Sequence, residues 1–519
     1  MQNLSTFLDN HALDPTACAL ALPAKGERYT YRALLDMVRR LASALVGGGL
    51  SKGDRVCIYL DSCPEYLVSY FAIWRIGAVA VPANIVLKEG ELRYLVENSG
   101  ARGIICSTEG LPVVRAAISS ISPPGVVVCT GDAPEGTMPW SRIMQEEPSF
   151  HDPVPCRFDD PCQIQYTSGT TGRPKGAVLT QGNWIAALDA EREALALRQG
   201  DMYLGIYPMA HVGVSWGISV LRAKGTYVIM ERYQEEEYLR LAREYRITVL
   251  SAMPPVIHGL CSAPEGAEDS LRSVRVIISG GGQLLPAVWE AFDRRYGIPI
   301  ANSYGLSETI VVGTGTATVP GIPELTREYR SVGIPIGYSE VRIVDSADPG
   351  IVLGTGETGE IALRGPSVAA GYWEMPRETS ETFLPGGWFL TGDMGHLDEG
   401  GALFITDRKK DMIVMSGWKI YPTEVENILL QHPDIADAAV FGIPDERKGE
   451  IPVAAVVARA DGLLDEGEVA AFCRSRMAGY KVPRRVVFVG SLPRVHGWKL
   501  LRRTLREEFS KISGFGARI

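Results

Sequence analysis

No stretch of this sequence is both long and apolar enough to read as a membrane span. The nearest, residues 66–81, is interrupted by Arg75 and Gly77 and closed by Pro82; it reads as a buried helix followed by a strand. An excess of positive charge is also missing. Lys and Arg number 52 against 61 Asp and Glu, a net charge of −9, so the balance invites neither nucleic acid nor an anionic membrane. Paired cysteine motifs are absent. Nine cysteines are scattered from Cys18 to Cys473 with no C-x-x-C spacing; reduced thiols of a cytoplasmic protein are expected, and nothing in the spacing supports a catalytic cysteine. The N-terminal residues lack a basic stretch leading into an apolar run, so no signal peptide is expected, and the C-terminal Gly-Phe-Gly-Ala-Arg-Ile carries no recognisable address. Low-complexity tracts and repeats are missing too.

What remains is the composition of a globular protein, 46% hydrophobic and 22% charged. At 519 residues the chain is too long for one core, so two or more domains are expected. Thr30 caps a predicted helix carrying Leu34, Val38, Leu41 and Leu45, which Gly47 to Gly49 stop. Apolar runs at 56–60, 79–81, 104–105 and 126–128 read as buried strands, with a helix from Pro64 between the first two. This alternation, sustained over the first 300 residues or so, predicts α/β layers on parallel sheet, whose ligands bind in loops at strand carboxyl ends. From Ser331 the texture turns to short strands with Gly and Pro, such as 341–344 and 359–364, and a small β subdomain is expected. A charge run, Asp407-Arg408-Lys409-Lys410-Asp411, then precedes renewed alternation. A helix opened by Pro422 is expected to turn Val425, Ile428 and Leu429 inward. We place the domain boundary at 407–410.

The densest chemical signal is Tyr166-Thr167-Ser168-Gly169-Thr170-Thr171-Gly172-Arg173-Pro174-Lys175-Gly176. From Thr167 to Gly176, three glycines, four hydroxyls and two cations fall within ten positions after an apolar strand. Glycines let backbone N–H groups turn toward an anion, hydroxyls donate to phosphate oxygens, and Lys175 or Arg173 supplies charge. It is not a Walker A loop, because Arg173 and Pro174 separate Gly172 from Lys175; a P-loop kinase or GTPase is disfavoured.

This loop resembles the glycine-rich signature of the adenylate-forming superfamily, which holds acyl- and aryl-CoA synthetases, beetle luciferases and adenylation domains of nonribosomal peptide synthetases. The resemblance recurs from Thr30 to Arg503. It implies a nucleotide-binding loop of Thr167, Ser168, Gly169, Thr170, Thr171, Gly172 and Lys175. Asn302-Ser303-Tyr304-Gly305-Leu306-Ser307-Glu308-Thr309 resembles the second nucleotide motif: Tyr304 stacks on adenine, Thr309 meets the α-phosphate, and Glu308, with Thr167, ligates Mg²⁺. A carboxylate is a hard ligand suited to Mg²⁺ shared with phosphates. Gly280, Gly281 and Gly282, after an apolar run at 274–278, line the adenine pocket by the same resemblance. Thr391-Gly392-Asp393 resembles the ribose-binding motif, which Arg408 joins. Lys410 takes the hinge position. By the same resemblance Gly417 lies in the loop that lines the thiol tunnel, and Lys499 is the adenylation lysine. The family usually has Gly before that lysine and a Pro-Ser type pair ahead of it; here Trp498 follows His496-Gly497, so the loop must take another path. Pro208-Met209-Ala210-His211-Val212-Gly213 resembles the acid-pocket motif, with His211 as gate and Val212 and Trp216 shaping the pocket.

The fold implied is a large N-terminal AMP-binding domain, residues 1–407, of two α/β sheet subdomains plus a small β subdomain, and a small mobile α+β C-terminal domain, residues 408–519. The activity implied is ATP-dependent carboxylic acid–CoA ligation with Mg²⁺, through an acyl adenylate, with Lys499, Glu308, His211 and Lys175 catalytic. Amino-acid-activating members place an Asp near the acid pocket; none is present, so an acid without an α-amine is expected, with a leaning from His211 toward aromatic, alicyclic or medium-length acids. A carrier protein's phosphopantetheine stays open as the alternative acceptor, and a homodimer stays open. A luciferase-like oxidation is disfavoured. A nucleotide-binding protein that has lost catalysis is the reading to which Trp498 alone points.

Overall fold

Unbroken runs of Val, Ile, Leu and Ala between helical repeats require parallel strands covered on both faces, and the computed structural model has them. It describes residues 3–14, 16–131, 134–167, 174–316, 331–445, 447–459, 464–495 and 499–509. Contacts divide the chain into two units, residues 1–341 with 363–389, and residues 342–362 with 390–519.

The first unit holds two large sheets. The seven-stranded sheet runs Met138–Pro139, Val126–Thr130, Gly103–Ser107, Arg55–Leu60, Val79–Asn84, Pro161–Thr167, Lys175–Thr180. All neighbours are parallel except the last pair, which is a hairpin. In the nine-stranded sheet, six parallel strands lie side by side: Ile300–Tyr304, Val276–Ser279, Val249–Ser251, Met202–Gly205, Thr226–Ile229 and Cys18–Leu22. Antiparallel strands flank them. Val276–Ser279, Val249–Ser251 and Thr226–Ile229 are buried at every residue.

The predicted helix is Tyr31–Gly47. The Thr30 hydroxyl accepts from the Ala33 N–H at 3.2 Å, a cap worth about 1 kcal/mol, and Leu34, Val38, Leu41 and Leu45 are buried. The membrane-like run is indeed a helix, Pro64–Arg75, followed by strand Val79–Asn84. Arg75 is fully buried inside it, which only pairing permits: its two terminal nitrogens reach Asp9 at 2.8 and 3.0 Å, and its Nε donates to the His151 carbonyl at 3.1 Å.

The short strands expected after Ser331 are present, from Glu340–Val344 and Gly359–Arg364 to Leu403–Arg408; the division between the two units falls among them. Within the second unit, Gly449–Ala458 pairs antiparallel with Ile435–Asp445 and Ile413–Met415 and parallel with Arg485–Phe488. Helix Pro422–Leu429 departs from expectation in one place. Val425 and Leu429 are buried, but Ile428 is only half-buried and Glu426 turns inward instead, because Arg502 waits there with a matching charge.

Candidate active site

The glycine-rich loop is mounted on an antiparallel stem, Pro161–Thr167 with Lys175–Thr180. Thr167 pairs with Lys175 at its mouth, and the Thr167 hydroxyl donates to the Lys175 carbonyl at 3.4 Å. The stem is held from outside: the Tyr94 hydroxyl donates to the Pro174 carbonyl at 2.9 Å, and that of Tyr166 to Oδ1 of Asn98 at 2.6 Å. Ser168, Gly169, Thr170, Thr171, Gly172 and Arg173 lie outside the described residues.

Residues 370–373 run along the free edge of Lys175–Thr180. The Val178 N–H donates to the Gly371 carbonyl at 2.9 Å, the Ala370 N–H to Val178 at 2.9 Å and the Trp373 N–H to Gly176 at 2.7 Å. This pairing sets Tyr372 between two of the expected site residues. Nζ of Lys175 lies 4.9 Å from the centre of the Tyr372 ring, and the Tyr372 hydroxyl donates to Oε1 of Glu308 at 2.9 Å. Glu308 is 7% exposed and Tyr372 9%. Burial, and then the adjacent carboxylate, hold the phenol well above the ordinary tyrosine range, so it stays protonated and donates. The cation above its ring contributes about 1 kcal/mol.

Glu308 sits on a short 3₁₀ turn, Ser307–Thr309, just past strand Ile300–Tyr304. The backbone beyond it is strained. Ile310 and Val311 have φ of 51° and 54°, a left-handed conformation that costs β-branched residues on the order of 1–2 kcal/mol each. A Cβ on Gly305 would stand 2.3 Å from the carbonyl carbon of Val311, so only glycine fits. The turn is braced by the Leu306 N–H donating to Oγ1 of Thr309 at 3.0 Å and by the Thr309 hydroxyl donating to the Leu306 carbonyl at 3.3 Å. Thr309 is fully buried and Tyr304 nearly so. Asn302 donates its amide to the Ser331 carbonyl at 3.3 Å, and the Ser303 hydroxyl donates to the Ser279 carbonyl at 3.0 Å, beside Gly280, Gly281 and Gly282. These loops leave the carboxyl ends of neighbouring parallel strands, where ligands of such sheets bind.

The loop expected to form the acid pocket follows a third strand of the same sheet, Met202–Gly205. Four side chains hold it: Tyr70 donates to the Met209 carbonyl at 3.3 Å, Ser62 accepts from the Met209 N–H at 3.2 Å, Gln165 donates to the Ala210 carbonyl at 3.2 Å, and Nδ2 of Asn84 lies 3.3 Å from Nε2 of His211. Oδ1 of Asn84 accepts from the Val86 N–H at 3.1 Å. That bond orients the amide, so Nδ2 donates and Nε2 of His211 accepts. His211 is exposed, not packed away as a core histidine, whereas Val212 and Trp216 are buried.

In the second unit, Asp393 and Arg408 are register partners on paired strands, with Nε of Arg408 3.2 Å from Oδ1 of Asp393. Below them the Gly392 N–H donates to one oxygen of buried Glu360 at 3.2 Å and Lys409 donates to the other at 2.7 Å. Asp407 accepts the N–H groups of Arg408 and Thr423, both at 2.7 Å. Burial raises its pKa, against the pull of Arg502. Lys410 occupies the turn that follows. It is exposed as a whole residue, yet loss of water around its ammonium draws the pKa down, with Asp411 opposing. Met415 pairs with Trp418, leaving Ser416 and Gly417 as a two-residue loop with φ of 50° and 85°, the signs of a type I′ turn. Lys499 pairs by its backbone with Val495 in a two-stranded hairpin; His496, Gly497 and Trp498 lie outside the described residues, and Val495 and Lys499 are described by backbone alone.

No group of three or more His, Cys, Asp or Glu is arranged to cage a metal among the described residues. Mg²⁺ shared with phosphates needs only one or two protein carboxylates, water and phosphate completing its shell. One buried carboxylate, Glu308, joined through Tyr372 to Lys175 on the stem of the glycine-rich loop, is such a donor set, and it fits.

The family model for the AMP-binding enzymes matches residues 8–373, and that for the AMP-binding enzyme C-terminal domain matches residues 424–497. This chain belongs to the AMP-binding enzyme family. A long-chain-fatty-acid–CoA ligase of Mycobacterium tuberculosis is 31% identical to it over 512 residues, 98% of this chain and 99% of that protein. Among solved structures, ATP-bound MatB from Rhodopseudomonas palustris matches with a TM-score of 0.90 at 29% identity, over 98% of this chain and 100% of that one. The o-succinylbenzoate CoA synthetase MenE from Bacillus subtilis, in complex with its acyl-adenylate intermediate, matches with a TM-score of 0.84 at 28% identity, over 97% and 98%. Two contacts of this AMP-binding enzyme escape sequence reasoning. Tyr372 reaches Glu308 from 64 residues away, and Asn84 reaches His211 from 127. Neither lies in a loop dense in chemical groups; Asn84 ends a buried strand whose other residues are apolar.

Proposed function

We propose that this chain, an AMP-forming acid–CoA ligase by its family, activates its acid at the cluster of Lys175, Tyr372 and Glu308 and passes the acyl group to the thiol of CoA. The contact of Lys175 and Glu308 with one tyrosine carries this reading: a cation at the phosphate loop and a buried carboxylate are brought to one place. In the first step a carboxylate oxygen of the acid attacks the α-phosphorus of ATP, and the bond to pyrophosphate breaks. Negative charge gathers on phosphate oxygens, where Lys175, the loop from Thr167 to Gly172, Thr309 and Lys499 offset it. Glu308, with Thr167, would hold Mg²⁺, which when bound neutralises phosphate charge. Asp393 and Arg408 receive the ribose, Tyr304 and residues 280–282 the adenine. His211, oriented by Asn84, gates a pocket shaped by Val212 and Trp216. In the second step the thiol, entering past Gly417, attacks the acyl carbonyl, loses its proton, and AMP leaves. The chain from residue 408 turns about Lys410 between the steps, a gating use of motion.

Nine cysteines without a disulfide favour a reducing compartment, and among the described residues no helix is long and apolar enough to cross a membrane; a cytoplasmic location is the reading they support. The acid lacks an α-amine. The test is pyrophosphate release from ATP across a panel of carboxylic acids, repeated with CoA and with a phosphopantetheinylated carrier protein. Acid-dependent pyrophosphate, and acyl thioester on CoA, are expected. No acyl–AMP with any acid, or transfer to the carrier alone, would overturn the reading.

A further inference from the structure

The hairpin that carries Lys499 has only two residues in each strand, Arg494–Val495 and Lys499–Leu500, too few to hold a shape unaided. Each stalk is tied down by an arginine. Nη2 of Arg494 donates to both oxygens of Asp437 at 2.9 and 2.8 Å. On the other side Arg502, three residues past Lys499, opens helix Arg502–Phe509. Its guanidinium reaches Glu426 twice, Nη2 to Oε2 at 2.6 Å and Nε to Oε1 at 3.2 Å, and its Nη1 lies 3.6 Å from Oδ2 of Asp411. Oε1 of Glu426 also accepts the Val440 N–H at 2.7 Å. The Arg502 and Glu426 side chains are only 17% and 10% exposed. A buried planar fork fixes direction as well as distance. Asp411 directly follows Lys410, so one guanidinium joins the Lys499 strand, helix Pro422–Leu429 and the chain at Lys410.

We propose that Arg502 is a positioning residue for adenylation, locking the Lys499 hairpin to Glu426 and Asp411 so that the lysine and the segment at Lys410 move as one piece. The inference rests on the role given to Lys499 under the proposed function. Its test uses the full chain and two measurements: acid-dependent pyrophosphate release, and CoA thioester formation from supplied acyl adenylate. Arg502→Lys keeps a positive charge beside Glu426 but loses the fork. Glu426→Gln removes the buried charge and keeps an acceptor for Val440. Misplacement of a catalytic group by about 1 Å costs up to about 10²-fold. Each variant should therefore lose roughly 10- to 10²-fold in kcat of the first reaction, with the KM for ATP and acid and the second reaction within about threefold of wild type. Arg503→Gln, on the same helix but in an exposed pair with Glu507, should leave both reactions unchanged. Wild-type adenylation in Arg502→Lys and Glu426→Gln, or equal loss in both reactions, overturns the proposal. Lys499→Ala separates the two levels. It should lose about 10²–10³-fold in the first reaction only; if it adenylates normally, the reading of Lys499 itself fails, whatever Arg502 does.

Discussion

Replacing Tyr372 by Phe removes one hydroxyl and nothing else. The ring stays, so the Lys175 contact at 4.9 Å is kept; the O–H that donates to Glu308 at 2.9 Å is lost, together with the hydroxyl's interaction with Thr382. A hydrogen bond to a charged acceptor is worth about 1.5–3 kcal/mol. If that energy serves to orient the carboxylate for a metal, its loss weakens metal-supported turnover by about 10- to 100-fold, the range found for partners that orient metal ligands, and the two figures agree because each tenfold is about 1.4 kcal/mol. The assay is the rate of acid-dependent pyrophosphate release against Mg²⁺ concentration at saturating ATP and acid. The variant's curve should shift to higher Mg²⁺, and its melting temperature should fall by only a few degrees, because a unit this large shifts by less than about 2 °C per kcal/mol. A Mg²⁺ curve that superposes on wild type in a folded Tyr372→Phe protein would refute the reasoning. It would mean that the bond merely satisfies a buried phenol.

Glu308→Gln should weaken Mg²⁺-dependent turnover more than Tyr372→Phe does, measured in the same titration, because it removes the ligand charge itself. Asp393→Asn keeps the shape but loses the ion pair with Arg408 at 3.2 Å; the KM for ATP should rise about tenfold, the worth of one hydrogen bond to a charged group, in steady-state kinetics. Gly417→Ala forces a side chain into φ of 85°, about 1 kcal/mol of strain, and should slow thioester formation from supplied acyl adenylate while sparing pyrophosphate release. Glu191 gives a pH prediction. It is fully buried, bonded to the Ser215 and Ser219 hydroxyls, and burial pushes its carboxyl from 4.5 up to about 8. Between those values the folded chain holds a proton that the unfolded chain has released, so stability falls as pH rises, by at most about 1.4 kcal/mol per pH unit. Melting temperature from pH 5 to 8 should therefore decline more in wild type than in Glu191→Gln.

Local pattern carried a large share of this protein. Helix Tyr31–Gly47, its Thr30 cap and the buried strands at Arg55–Leu60, Gly103–Ser107 and Val126–Thr130 follow from residue periodicity, because burying apolar side chains at period 3.6, or in continuous runs, leaves few alternatives. The phosphate loop and the Glu308 motif are legible for a related reason: anion chemistry needs glycine, hydroxyl and cation close together in the chain. Tertiary structure alone decided what joins them. Tyr372 meets Glu308 and Lys175 because residues 370–373 add to the edge of strand Lys175–Thr180, and edge pairing uses backbone groups that every sequence has. Asn84 meets His211 across two sheets. Glu426 turns inward and Ile428, expected there, is only half-buried, because the partner of Glu426, Arg502, comes from 76 residues away. Left-handed Ile310 and Val311 run against their own preferences; only the surrounding fold holds them, and no local rule would have placed them there.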